Sequence, residues 1–263
     1  MTLRLGILIL IIFCFLGNML GQSPYQLDWK KELAYFGAGA GTLSLGAYLE
    51  KQTPLFDLDQ LETLDASSIN SFDRWATSNY SLSAHEVSNW LWYGSFAFPT
   101  LFLANKNTRD DWSTLFILWG ETVLLNSGVT TLSKYAFRRP RPYVYNPNVS
   151  TETKMTVTAK ASFFSGHTSM TAANTFFAAK VFSDYYPNSK WKPVVWTVAA
   201  TIPALTGYFR VSAGRHYPTD VIAGYAVGAA IGYLIPHLHQ RQENEKGWSI
   251  NVGSSSALLR YKF

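Results

Sequence analysis

The chain has 263 residues, of which 48% are hydrophobic, 16% aromatic and 15% charged, well under the roughly 25% charged residues of soluble domains. A membrane or a very large apolar core is implied. The net charge of +5, from 22 basic and 17 acidic residues, is too weak to line a whole face with cations, which argues against a nucleic-acid partner. No sequence period of about 20 to 50 residues suggests repeats, so one domain is expected.

Residues 1–22 carry a basic residue, an apolar stretch over 5–16 and the small residues Gly17 and Gly21. They read as a secretory signal cleaved near Gln22, with an uncleaved anchor as the alternative. Cys14, the only cysteine, lies inside that stretch, so a cleaved chain would have neither disulfides nor thiol chemistry. Uncharged or nearly uncharged segments follow at 33–49, 87–104, 112–133, 168–179, 193–209 and 221–236. Their lengths suit buried or membrane-spanning helices rather than strands, which predicts an all-α, membrane-associated bundle of about six apolar helices.

Gly37, Gly39, Gly41 and Gly46 in the first segment, and Gly224, Gly228 and Gly232 at four-residue spacing in the last, provide smooth faces for close helix contact. Between the first two segments, 51–86 alternates charged and apolar residues and predicts amphipathic surface helices; nothing in it looks catalytic. Glu121 and Asn126 interrupt the third segment. A site inside a membrane and a satisfied polar contact explain them about equally, and neither is assigned to the site. The tail 247–263 alternates as a strand does and has no assigned role.

Three stretches carry chemistry. KYAFRRPRP, at 134–142, places four cations, Lys134, Arg138, Arg139 and Arg141, and two prolines at the end of an apolar run. On a continuing helix Lys134 and a position near Arg141 share a face while Arg139 is rotated away, until Pro140 and Pro142 stop the helix. Taken alone, the cluster suits a membrane flank as well as a phosphate socket. ASFFSGHTSM, at 161–170, sets Ser165, Gly166 and His167 just before an apolar helix, where free backbone N–H groups favour anions; it also suits an ordinary helix cap. FRVSAGRHYPTD, at 209–220, puts His216 just ahead of a helix beginning near Pro218 and Asp220 in its first turn. A carboxylate there can fix one imidazole nitrogen and leave the other as a nucleophile, or simply cap the helix. His85, His237 and His239 lack such company in the sequence.

Together the three stretches resemble the signature of the type 2 phosphatidic acid phosphatase (PAP2) family, whose superfamily includes bacterial acid phosphatases and vanadium haloperoxidases. Kx6RP falls at Lys134, Arg141 and Pro142, SGH at Ser165 to His167, and Rx5Hx3D at Arg210, His216 and Asp220. The resemblance covers roughly residues 85 to 236 and is specific in order and spacing. Phe164 replaces the proline that usually precedes SGH, and Phe209 the serine that usually precedes the arginine, so the pocket's shape differs from the family's. Arg139-Pro140 offers a competing register, ranked second.

Composition and the resemblance together divide the chain into a signal or anchor over 1–22, an N-terminal helix and amphipathic segment over 23–84, an expected phosphatase core over 85–240 and a tail over 241–263. The resemblance implies that His216 attacks phosphorus to form a phosphohistidine, that Asp220 orients it, and that His167 protonates the leaving oxygen and then activates water. Lys134, Arg141 and Arg210 would bind the phosphoryl oxygens with the Ser165 hydroxyl and Gly166 N–H. The cations stand in for a metal, so no cofactor is expected, and the sequence displays no metal-ligand cluster. The expected partners are a lipid phosphate or diphosphate substrate and a membrane, with the site facing the periplasm or exterior of a bacterial-type envelope. The alternatives are a periplasmic acid phosphatase on soluble esters, a vanadium-dependent haloperoxidase and an inactive phospholipid-binding protein.

Overall fold

The computed structural model describes residues 23–241, 247–252 and 257–262; the expected signal or anchor lies outside them. Six long helices form the bundle: α1 (Trp29–Lys51), α2 (Leu82–Ser95), α3 (Trp112–Phe137), α4 (Gly166–Tyr185), α5 (Lys192–Ser212) and α6 (Pro218–Leu238). Each start has a local cause. Asp28 and Ser81 accept backbone N–H groups of the first turns of α1 and α2, Ser165 caps α4, and Pro193 and Pro218 sit in the first turns of α5 and α6, where a missing N–H costs nothing.

The segment expected as the fourth apolar helix is the axis of the bundle. From Thr168 to Val181 every residue of α4 except Phe176 is buried, although many are hydroxyls or amides. Several of those groups are satisfied across helices: Ser169 Oγ donates to Asn126 Oδ1 on α3 at 2.6 Å, Asn174 Nδ2 to Ser95 Oγ on α2 at 3.0 Å, and Thr175 Oγ1 to the Ala199 carbonyl on α5 at 2.9 Å. Buried polar groups cost little when paired in this way. Asn126 is therefore a satisfied polar contact.

Five of the seven glycines expected at close helix contacts are found there, whereas Gly37 and Gly41 face open space. A Cβ at Gly224 would lie 2.6 Å from the Ser165 carbonyl oxygen, and methyls at Gly228 and Gly232 would run into the carbonyls of Ser169 and Ala173, so the stripe lets α6 lie directly on the α4 backbone. On the other side Gly39 and Gly46 bring α1 against α3 at Leu124 and Leu132.

Three of the six helices, α3 (continuing into the following turn), α5 and α6, are long and apolar enough to cross a membrane. Outward-facing Trp90, Tyr93, Phe116, Val198, Leu205 and Ile222 expose large apolar groups. Such a surface fits a lipid solvent and not water, and the bundle is membrane-associated. The 51–86 stretch folds into short helices, including Leu58–Glu62 and Ser71–Arg74. It covers one end of the bundle: Phe56 packs with Tyr143, Val144, Val149 and Ala159, and Ala76 with Val211 and Tyr217. The strand-like tail forms an antiparallel hairpin, β1 (Gly247–Val252) with β2 (Ala257–Lys262).

Candidate active site

Under that cover the C-terminal ends of α3 and α5 meet the N-terminal ends of α2, α4 and α6. At the end of α3, Arg138 adopts a left-handed conformation, φ 47°, and turns the chain across the bundle. Three backbone bonds then tie the motif loops together: Arg141 N–H donates to the Ala159 carbonyl at 2.8 Å, Ser162 N–H to Arg139 at 3.0 Å, and Tyr143 N–H to Gly214 at 3.0 Å. Gly214 itself has φ +67°, a conformation that favours glycine, and it lets the loop between α5 and α6 fold back beneath Tyr143.

The two arginines of the first motif separate sharply. Arg139 donates to Asp73 Oδ2 at 2.7 Å and to Asp220 Oδ1 at 2.5 Å, and its guanidinium lies 4.0 Å over the Tyr217 ring. Asp73 also accepts from Thr219 Oγ1 at 2.6 Å and Thr219 N–H at 3.0 Å. Its burial would raise the carboxyl pKa, but the bonds from Thr219, Arg139 and Asn70 outweigh burial and hold it below the usual range. Arg141 is buried with Nε unpartnered. Among the described residues no carboxylate lies within salt-bridge range of Lys134, Arg141 or Arg210. Arg210 Nη1 donates instead to neutral acceptors, His85 Nδ1 at 2.9 Å and Ser88 Oγ at 3.3 Å.

Lys134 reaches the α4 N-terminus because Gly166 has no side chain. A Cβ there would sit 3.2 Å from Lys134 Nζ and 3.0 Å from Thr130 Cγ2. The ammonium, the first-turn N–H groups and His167 thus border one cavity of about 260 Å³ that runs down between Trp92, Asn126, Thr130 and Met170. The Ser165 hydroxyl faces the same turn, 2.9 Å from Thr168 Oγ1.

His216 is buried, and its Nδ1 is 2.8 Å from the Ser162 carbonyl oxygen. A carbonyl can only accept, so the ring proton is on Nδ1 and Nε2 presents its lone pair. Asp220 Oδ2 stands 3.7 Å from Nδ1, within ion-pair range but not bonded to it. That oxygen accepts from Ser162 Oγ at 2.5 Å and from the Tyr217 N–H at 3.0 Å. The expected direct hold of Asp220 on the ring is replaced by a hold on Ser162, whose backbone fixes the ring. Burial, then the charges of Arg141, Arg210 and Lys134, keep the His216 pKa well below its ordinary value. His167 is depressed as well, by burial first and then by Arg210, His216, Lys134 and Arg141. Its ring lies 4.6 Å from that of Trp92, and Nε2 is 3.0 Å from Asn89 Oδ1.

All eight residues singled out by sequence (Lys134, Arg141, Ser165, Gly166, His167, Arg210, His216 and Asp220) lie at this end of the bundle. Sequence reasoning passed over Asp73, His85, Ser88, Asn89, Trp92 and Ser162. His85, set aside as a histidine without company, is an acceptor for Arg210; burial, then the Arg210 charge, lowers its pKa to about 4, so it stays neutral. The 51–86 stretch, read as having nothing catalytic, supplies Asp73.

Comparison with known proteins places this geometry. Residues 115–244 match the family model of the PAP2 superfamily. A lipid A 1-phosphatase of Porphyromonas gingivalis is 30% identical over 130 residues, 49% of this chain and 25% of that protein. An undecaprenyl-diphosphatase of Sulfolobus acidocaldarius is 32% identical over 137 residues, 51% of this chain and 58% of that protein. The chain thus spans between a quarter and somewhat over half the length of these curated relatives. A solved transmembrane PAP2-type phosphatidylglycerolphosphate phosphatase from Bacillus subtilis aligns over 76% of this chain and 94% of its own, with 21% identity and a TM-score of 0.46. With the family match spanning the three motif stretches and the helices that carry them, the chain belongs to the PAP2 superfamily.

Proposed function

We propose that the protein is a metal-independent phosphatase that hydrolyses a phosphomonoester or diphosphate group of a lipid through a phosphohistidine on His216. The observation that carries this reading is the unpaired trio Lys134, Arg141 and Arg210 around a neutral His216 at the α4 N-terminus. Three cations with no carboxylate, Arg141 and Arg210 buried and Lys134 half-buried, are costly unless an anion joins them, and a phosphoryl group supplies charge and fork-matched oxygens together. His216 Nε2 attacks phosphorus; the N–P bond forms as the bond to the leaving oxygen breaks, and His167 gives that oxygen its proton. Water then attacks phosphorus, His167 takes the proton of the water, and the N–P bond breaks. Lys134, Arg141 and Arg210 hold the equatorial oxygens throughout, with the Gly166 N–H and Ser165 hydroxyl beside them.

A lipid is favoured over a soluble ester because the cavity beneath Lys134 and His167 continues between α2, α3 and α4, bordered by Trp92 and Met170, where the first part of an acyl or prenyl chain fits. The named activities of the relatives, on lipid A and on undecaprenyl diphosphate, agree in substrate class. We place the site at the periplasmic or outer face of the membrane, where such headgroups are exposed. The test offers phosphatidic acid, phosphatidylglycerol phosphate, undecaprenyl diphosphate, lipid A and glucose 6-phosphate at matched concentrations to the protein in detergent. Vanadate-sensitive release of phosphate from a lipid, and acid-labile label on His216, are expected. Greater catalytic efficiency on the sugar phosphate would make the protein an acid phosphatase on soluble esters, halide oxidation with vanadate and peroxide would make it a haloperoxidase, and no turnover would leave a lipid-binding protein.

A further inference from the structure

At the opposite end of the bundle three side chains from distant parts of the chain converge. Glu32 stands in the first turn of α1, Glu121 in the first half of α3, and His239 caps the C-terminus of α6. One ligand-capable atom from each lies within 4.8 Å of the other two. His239 Nε2 is 3.2 Å from Glu32 Oε1 and 3.6 Å from Glu121 Oε2, and no side chain of the three is more than 1% exposed.

Hydrogen bonding within the protein does not account for this meeting. The Glu32 carboxylate accepts the Asp28 N–H, at 3.1 and 3.3 Å, as an N-terminal residue of a helix commonly does. Neither oxygen of Glu121 nor Nε2 of His239 has a hydrogen-bond partner among the described residues. The 3.2 Å approach thus lacks hydrogen-bond direction: the three ligand-capable atoms, each within 4.8 Å of the others, surround a shared point without hydrogen-bonding one another. His239 Nδ1 lies 2.7 Å from the Ile235 carbonyl, which puts the ring proton on Nδ1 and turns the Nε2 lone pair toward two carboxylates. With a neutral ring, no cationic side chain of the cluster offsets the two carboxylates, and ionising both there is costly in a low-dielectric bundle. One divalent cation at the shared point cancels their charge. An Nδ1–H bond to a backbone carbonyl is also how metal-bound imidazoles are commonly oriented.

We infer that Glu32, Glu121 and His239 bind one divalent transition-metal ion, with Zn²⁺ the best match to one imidazole nitrogen and two carboxylates. The ion joins α1, α3 and α6. Thirteen residues of α3, about 20 Å at 1.5 Å per residue, separate Glu121 from Lys134, so the ion braces the bundle and takes no part in phosphoryl transfer. The apparent lack of a metal-ligand cluster in the sequence reflects the distance between these three positions in the chain.

The full chain is purified in detergent from cells grown with added Zn²⁺, passed over chelating resin and analysed for metals. About one Zn²⁺ per chain is expected, with at least a tenfold loss in Glu121→Gln and in His239→Gln. His216→Ala should hold as much metal as the wild type, so this inference and the phosphatase reading fail separately. Because the Glu121 and His239 variants could fail to fold, the wild type is also grown with Co²⁺, and the visible absorption of low-coordinate cobalt is expected. Wild-type protein with neither bound Zn²⁺ nor the cobalt absorption, and with a melting temperature that added Zn²⁺ leaves unmoved, overturns the inference.

Discussion

Arg139 and Arg141 are two residues apart, yet they belong to regions built on opposite principles. Arg139 closes a strut: Asp73, Thr219 and Asp220 satisfy it, and the strut fastens the cover of the bundle to the first turn of α6. Arg141 stands near enough to Lys134, Arg210 and the two histidines to act on both rings by its charge, and among the described residues none of these three cations has a carboxylate within salt-bridge range. Charge in the strut is cancelled inside the protein and so contributes to the fold. Charge in the pocket is not cancelled, and its cost is recovered only when a ligand binds. The difference teaches that a basic motif cannot be read by counting cations; what matters is which of them the fold neutralises.

The largest test of the pocket is His216→Ala, which should lower turnover of the preferred lipid by about 10⁴-fold or more, with unchanged thermal unfolding. A variant retaining near-normal hydrolysis would sink the proposed chemistry. Next, Arg141→Ala should lose about 10²- to 10³-fold in kcat/KM with little loss of stability, since it removes a cation that nothing neutralises. Arg139→Ala should do the reverse. It strands two buried carboxylates, so unfolding should fall by about 3 kcal/mol while folded protein keeps most of its rate. If activity is lost more in Arg139→Ala than in Arg141→Ala under conditions where both are folded, the division into strut and pocket is wrong.

Asp220 belongs to both regions, and Asp220→Asn should show both effects, with residual turnover of about one per cent and lowered stability. The amide cannot receive Arg139, Ser162 and the Tyr217 N–H as the carboxylate does. Ser162→Ala separates the effects: it removes only the link from Asp220 to the loop that holds His216 by its carbonyl. A rate unchanged in Ser162→Ala would mean that Asp220 does not act through that loop.

The sequence made the pocket legible because its parts are residue types at fixed spacings, and the bundle legible because apolar runs and the Gly224, Gly228, Gly232 stripe are local patterns. The strut was not legible in the same way. Asp73 lies in an amphipathic stretch where carboxylates are ordinary, and only the fold reveals that it meets Thr219 and Arg139. The atom that fixes His216 is the backbone carbonyl of Ser162, which no residue type advertises. His85 and His239 gain their partners across more than a hundred residues of chain. The polarity of α4 could have been noticed, since its hydroxyls and amides suit a central helix surrounded by others better than one facing lipid.

The smallest effect expected is on pH dependence, and it bears directly on the comparison. Both histidines to which the proposed chemistry assigns a role, His167 and His216, are held neutral by burial and by the cations near them. For His216 neutrality is the reactive state, so acidity should not slow the reaction as pH falls through about 6.5, the ordinary histidine value. For His167 neutrality is the wrong state for the first step, which needs its proton. With its pKa depressed, the protonated fraction falls by up to tenfold for each pH unit above that pKa, and kcat/KM should decline as pH rises, measured above about pH 7.5 where a phosphomonoester has lost its second proton. Removing a cation that acts on both rings should raise both pKa values, so in Arg141→Ala the residual activity should decline at higher pH than in the wild type. Arg139→Ala should displace the profile less, because the charges that lower the His167 pKa are those of Arg210, His216, Lys134 and Arg141 and not that of Arg139. Profiles taken on both variants and the wild type check this, and equal displacement in the two variants would mean that the pocket responds to total charge and not to the cations that the fold leaves unpaired.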